Sequence, residues 1–329
     1  MKIDVLALLR DQYPLVLDKK SDFVKNSLKD LPNSKTHLNN FDELFDKDSR
    51  YIEETILKQI TEILSETESF TGCNYFTAIT NSLSANVRNG SSNIIVVDEL
   101  ISCGLTEFYT IVLQWSIDLC DEKTHRYAFR QLIYLLDMEF TKKGLGTINI
   151  EDDAEWFHLL NENAMAIAAD CYWVSWAFII LHEIGHLVLE HTKTQYSVNQ
   201  EYEADEFAYK MIIKLIKKYR GSSNDLMSVF QQYTCYAPMM LFDFYRIINM
   251  YQGIVYPELK SYFNPEPQSR IDHLITIINN ESFEDSTEIE VFGIDVYNNY
   301  LDVLDYFWEQ FIIKYKNGKL NFLHDIKPE

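Results

Sequence analysis

The sequence predicts a mainly α protein of the α+β class, a helical body with a small sheet. Apolar residues recur every three or four positions over most of the chain, and only two short runs read as strands. A hydrophobic content of 47%, with many aromatics, over 329 residues is enough for a sizeable core.

Residues 4–31 and 51–66 carry apolar positions at helical spacing, separated by the polar, turn-rich stretch 32–40. Helices are expected over 105–120 and 125–140. Phe108, Ile111, Val112, Trp115 and Leu119 form the core stripe of the first, and Phe129, Leu132, Ile133 and Leu136 that of the second. The strand signals are 93–97, behind Asn89-Gly90-Ser91-Ser92, and 147–150, behind Gly144-Leu145-Gly146. The turn at 142–146 divides a helical N-terminal region of unknown role, 1–145, from a second part, 146–329, the alternative being one continuous domain. In the second part, 171–189, a segment from Ser197 to about Arg220, 224–251 and 294–315 read as helices. Ser197 followed by Gln200 is a capping box, and Gly221 is a stop.

Chemistry concentrates in Leu181-His182-Glu183-Ile184-Gly185-His186 and in Gln200-Glu201-Tyr202-Glu203-Ala204-Asp205. Two histidines four residues apart on a helix rise from one face, so both imidazoles reach a single zinc ion. Glu183 beside them is placed to take a proton from a zinc-bound water, whose pKa the metal lowers to roughly 7, and to pass it to a leaving amine. The surrounding run from Cys171 to Leu189 is apolar and suits a buried helix. Burying a carboxylate there without a cation or hydrogen bond costs several kcal/mol.

Periodicity selects the third ligand. Glu201, Ala204, Asp205, Ala208 and Ile212 share one face of the second helix, whereas Glu203 and Glu206 point about 160° and 140° away from Glu201. Glu201 is therefore the expected ligand, with Asp205 one turn on accepting a hydrogen bond from the far nitrogen of a ligand histidine. Ala204, Ala208 and Gly185 allow close approach of the two helices, which the short connection from His191 to Ser197 makes antiparallel neighbours. Oxyanion stabilisation leaves Tyr233, Tyr236, Tyr245, Arg270 and His273 as candidates.

His-Glu-Ile-Gly-His followed by Glu-x-x-Ala-Asp resembles the gluzincin peptidases, in particular the HtpX and CAAX-protease type. The resemblance implies a zincin-like helical metallopeptidase with Glu201 as ligand and Asp205 as its companion. The stretch from Asn264 to Ile271 is similar to the His-Pro-x-x-x-x-Arg-Ile segment of those enzymes, with Asn264 where they carry His. Their membrane spans are missing, since His182, Glu183 and His186 interrupt the most apolar run. The chain also looks like the phage-exclusion Lit peptidases, which implies a cytoplasmic enzyme cleaving a host protein in phage defence. The resemblance covers residues 171–212 and 264–271.

Other arrangements fit less well. A metzincin needs Gly at 189 and His at 192, where this chain has Leu189 and Thr192; His191 misses by one and is expected to end the first helix. A regulatory peptidase of the ImmA/IrrE type usually sits beside a DNA-binding module, and none is legible. A zinc-stabilised, non-catalytic protein-binding module is the competing class; structural zinc usually takes four protein ligands, and three are found here.

Fifty acidic against 29 basic residues give a formal charge of −21, which argues against nucleic acid or an anionic membrane as partner. The expected partners are a protein or peptide substrate and an activator or inhibitor protein, with the N-terminal region as a gate or activator-binding part; the acidic stretches 42–68 and 272–309 read as solvated faces, a docking surface for a basic partner being the alternative. Five scattered cysteines without Cys-x-x-Cys spacing suit a reducing compartment, and the N-terminus carries no export signal.

Overall fold

A computed structural model describes residues 16–17, 53–65, 74–78, 85–88, 94–117, 122–141, 161–219, 225–258, 265–280 and 287–320. The helices are α1 (53–65), α2 (Glu99–Ile117), α3 (Glu122–Thr141), α4 (Glu162–Val188), α5 (Val198–Tyr219), α6 (Asp225–Tyr233), α7 (Ala237–Val255), α8 (Pro267–Asn280) and α9 (Thr287–Lys316), with a 3-10 turn at His191–Lys193 between α4 and α5.

The α+β expectation is corrected to a mainly α fold. The described residues are overwhelmingly helical, and from 161 to 320 every described element is a helix. The physical reason is that the apolar residues of this part recur at helical spacing, so each helix buries its own stripe and needs no sheet to cover it. The strand expected at 147–150 and the turn at 142–146 lie outside the described residues. Short extended segments, β1 (Val16–Leu17), β2 (Asn74–Ala78), β3 (Ala85–Arg88) and β4 (Ile94–Asp98), lie before α2 in the chain and pair in the order β1-β2-β4-β3. The β2 and β4 pair is parallel, the other two antiparallel. Val16 and Leu17 are extended where a helix over 4–31 was expected, and the rest of that stretch is outside the described residues.

The remaining helical expectations meet their elements with shifted ends. Phe108, Ile111, Val112 and Trp115 of α2, and Phe129, Leu132, Ile133 and Leu136 of α3, are all buried. The helix expected over 224–251 is two, α6 and α7, broken at 234–236 ahead of Pro238, which suits a first turn and no interior position. One hydrophobic cluster runs from Ile56 to Leu320 and includes residues of every helix.

At its centre is α4, buried on nearly all sides. It is long and apolar enough to cross a membrane by composition, but 67% of its most apolar window is buried inside the protein, which accounts for its hydropathy. Asn161 caps it, its side chain accepting from the Asn163 N–H at 2.9 Å, while the Asn161 N–H donates to Gln114 of α2 at 2.6 Å. Mid-helix, the Ser175 hydroxyl donates to the Ala237 carbonyl of α7 (3.0 Å) and lies 2.8 Å from the Tyr109 hydroxyl of α2. α4 is thereby tied to α2 and α7 well before it reaches the two histidines.

The contact between α4 and α5 is close because Gly185 faces Ala204. A β-carbon at 185 would stand 3.1 Å from the Phe207 ring and 3.3 Å from the Ala204 Cα. At the start of α5 the Ser197 N–H donates to Gln200 Oε1 at 3.0 Å, the backward bond of the expected capping box. Gly185→Val is expected to lower unfolding stability by about 1–3 kcal/mol through overpacking. Urea unfolding of the metal-free protein measures it, and an unchanged midpoint would mean that the two helices separate freely.

Candidate active site

His182 and His186 lie at the C-terminal end of α4, one turn apart, and Glu201 lies in the first turn of α5. The Nε2 atoms of the two histidines are 3.1 Å apart. Glu201 Oε2 is 3.3 Å from His182 Nε2, and its Oε1 is 3.6 Å from His186 Nε2. Among the described residues these three form the group of side chains able to hold one metal ion.

Their spacing fits zinc. Metal–ligand bonds of about 2.0–2.1 Å in a tetrahedron place ligand atoms roughly 3.3–3.4 Å from one another. The chemistry of the donors points the same way, because imidazole lone pairs and a carboxylate converging on one point repel unless something positive lies between them.

The far side of His182 is fixed by Asp205, whose Oδ1 lies 2.9 Å from His182 Nδ1. With the Nδ1 proton donated there, the Nε2 lone pair faces Glu201 and His186. Asp205 is wholly buried and also accepts two hydrogen bonds from Arg270 of α8, the one from Nε to Oδ2 at 2.8 Å. The Arg270 guanidinium lies 4.2 Å above the ring of Phe242 in α7.

Electrostatics follow from this cluster. Burial opposes a charge on His182, yet the hydrogen bonds to Asp205 and Glu201 raise its pKa from 6.5 to about 9. Burial and the neighbouring His182 charge push His186 down to about 4. Burial would raise the Glu201 carboxyl, but its bond to His182 and the charges of His182 and Arg270 hold it below its ordinary value. Asp205 is likewise held low, against burial, first by Arg270. The carboxylates of Asp205 and Glu201 thus draw positive charge to His182.

Glu183 is buried beside the histidines. Of the oxyanion candidates, Arg270 donates to both carboxylate oxygens of Asp205 and is anchored there beside His182. The Tyr236 hydroxyl donates to the Gln232 carbonyl at 2.6 Å. The His273 ring packs at 5.0 Å against Tyr202, and its buried Nε2 has no hydrogen-bond partner among the described residues. Tyr233 is buried near Cys171 and Asp170, away from the histidines. Tyr245, also buried, feels Arg270, Glu183 and Asp205, which makes it the tyrosine of the three set among the site's charges.

His191 departs from its expected place at the end of α4. It lies in the 3-10 turn, buried, with Nδ1 2.9 Å from His186 Nδ1 and Nε2 2.9 Å from Glu203 Oε2. Sequence reasoning missed this contact and set Glu203 aside. The five-residue spacing from His186 to His191, with Glu203 on the flank of α5, is the signal that was available.

Residues 123–281 match the model of a peptidase family, Peptidase U49, and this match supports a protease, a hydrolase of peptide bonds. It spans α3 through α8 and includes every residue of the site described above. No curated protein matches the chain, and no solved structure matches it.

Arg270→Met is expected to destabilise the protein by about 3–5 kcal/mol, because it leaves the buried Asp205 carboxylate without its guanidinium. Adding Asp205→Asn should recover part of that loss. Chemical denaturation of both variants tests the coupling, and strictly additive losses would deny it.

Proposed function

We propose that this protease is a zinc-dependent endopeptidase acting on a protein substrate, with the metal held by His182, His186 and Glu201. The observation that carries the reading is the convergence of these three donors at the separations tetrahedral zinc requires, with Glu183 next to the first histidine. Bound zinc would supply a Lewis acid that polarises a peptide carbonyl and acidifies water.

The chain's own residues supply the rest. Glu183 accepts a proton from the attacking water and delivers it to the leaving amine nitrogen. Asp205, fixed by Arg270, holds the His182 tautomer in which Nε2 is free to bind. Only three protein donors converge among the described residues, which supports a catalytic rather than a closed structural site. The Lit-like resemblance supports cleavage of a cytoplasmic host protein in phage defence as the setting.

Elemental analysis of metal-replete protein should find close to one zinc per chain in the wild type, sharply less in Glu201→Ala, and an unchanged content in Glu183→Gln. Glu183→Gln should at the same time lose turnover by about 10²–10⁴-fold, read by profiling new protein N-termini in cells expressing it beside the wild type. Zinc-free wild-type protein would sink the metal assignment. Full zinc with no Glu183-dependent cleavage would leave a zinc-stabilised binding protein.

A further inference from the structure

His191 and Glu203 lie outside the three-donor cluster, yet both are connected to it. The connection depends on the backbone after α4. Glu190 takes a left-handed conformation (φ 59°), the one non-glycine residue at positive φ among those described. That conformation costs an ordinary side chain roughly 1 kcal/mol, and it turns the chain back so that the next residue, His191, meets His186 rather than solvent. Lys193 and Thr194 close the turn by donating to the carbonyls of Glu190 and His191 at 3.0 and 3.1 Å.

We propose that His191 and Glu203 are positioning residues for the ligand His186, forming a relay Glu203–His191–His186 that mirrors the Arg270–Asp205–His182 arrangement on the other histidine. The inference rests on the zinc reading above. If His186 binds through Nε2, its proton sits on Nδ1 and must be donated to His191 Nδ1. His191 then carries its own proton on Nε2, and the acceptor standing there is Glu203 Oε2. One assignment of protons satisfies all four ring nitrogens and leaves a single lone pair on His186, facing His182 and Glu201. The carboxylate at the end of the chain strengthens His191 as an acceptor, and through it His186 as a donor to metal.

The two sides differ in exposure. Asp205 is wholly buried, while the Glu203 side chain is 59% exposed, so the second relay is solvated at its far end. Losing Glu203 should therefore matter less than losing His191.

Zinc affinity, measured by competition with a chromogenic chelator, should fall about 10-fold in His191→Leu and by less in Glu203→Ala. Glu203→Ala should add nothing once His191 is Leu. His191→Asn places an amide oxygen near the position of Nδ1 and should retain more affinity than His191→Leu. Circular dichroism of each metal-free variant checks that the fold is intact; should His191→Leu not fold, His191→Asn and Glu203→Ala carry the comparison.

In the metal-free wild type, ¹⁵N spectra of the imidazoles should find His186 protonated on Nδ1 and His191 on Nε2. The opposite tautomers, or unchanged zinc affinity in His191→Leu and Glu203→Ala, would overturn the relay while leaving the zinc site standing. A wild type that binds no zinc would overturn the metal reading first and the relay with it.

Discussion

The site depends on one buried charge. Asp205 has no exposed surface and sits between a histidine and a guanidinium that come from different helices. A carboxylate in that position is tolerable only with both partners in place, because stripping water from it costs several kcal/mol that the pairing must offset. This requirement docks α8 against α5 and α4, and the stacking of Arg270 on Phe242 brings in α7. Four helices are thus positioned by one ion pair, and the imidazole of His182 takes its orientation from the same pair.

The two histidines then occupy opposite electrical environments although they are one turn apart. His182 is drawn toward the charged form by Asp205 and Glu201, and His186 is driven from it by burial and by His182 itself. Two protons cannot occupy a space in which the ring nitrogens stand 3.1 Å apart. The proposed cation between them would resolve the conflict for both rings and for Glu201 together.

The cluster of His182, His186 and Glu201 was legible because it lies within two helices, where the 3.6-residue period orders the side chains. His182 and His186 share a face by their spacing of four, and the same rule put Glu201 with Asp205 and apart from Glu203 and Glu206. That rule describes faces of a single helix and says nothing of what stands beside each face. Glu203 was consequently dismissed, although the turn after α4 brings His191 to it from outside. The turn was unreadable because the left-handed residue is Glu190 rather than the glycine or asparagine that usually signals one. The pairing of Arg270 was hidden by its separation of 65 positions from Asp205, and its resemblance to a known motif gave its presence without its partner. The fold class was overextended by reading short β-rich runs as evidence for an α+β body. Pairing along the chain decides such runs, and the part carrying the site is helical throughout its described length.

The length of α4 has its own logic. Its last turns carry all three polar groups of the motif, while the preceding twenty residues are mostly apolar and contribute no donor to the three-residue cluster. A rigid rod with one end anchored transmits that anchoring to its other end, since each residue of a packed helix is restrained by its neighbours. The cap at Asn161, the Ser175 bond to Ala237 and the apolar contacts between them hold the rod; Gly185 against Ala204 sets its distance from α5 at the histidines. A ligand set in which donors must meet within a few tenths of an ångström tolerates little sliding or rotation. The apolar burial that makes α4 look like a membrane span is therefore what keeps two imidazoles and a carboxylate, drawn from two helices, aimed at one point.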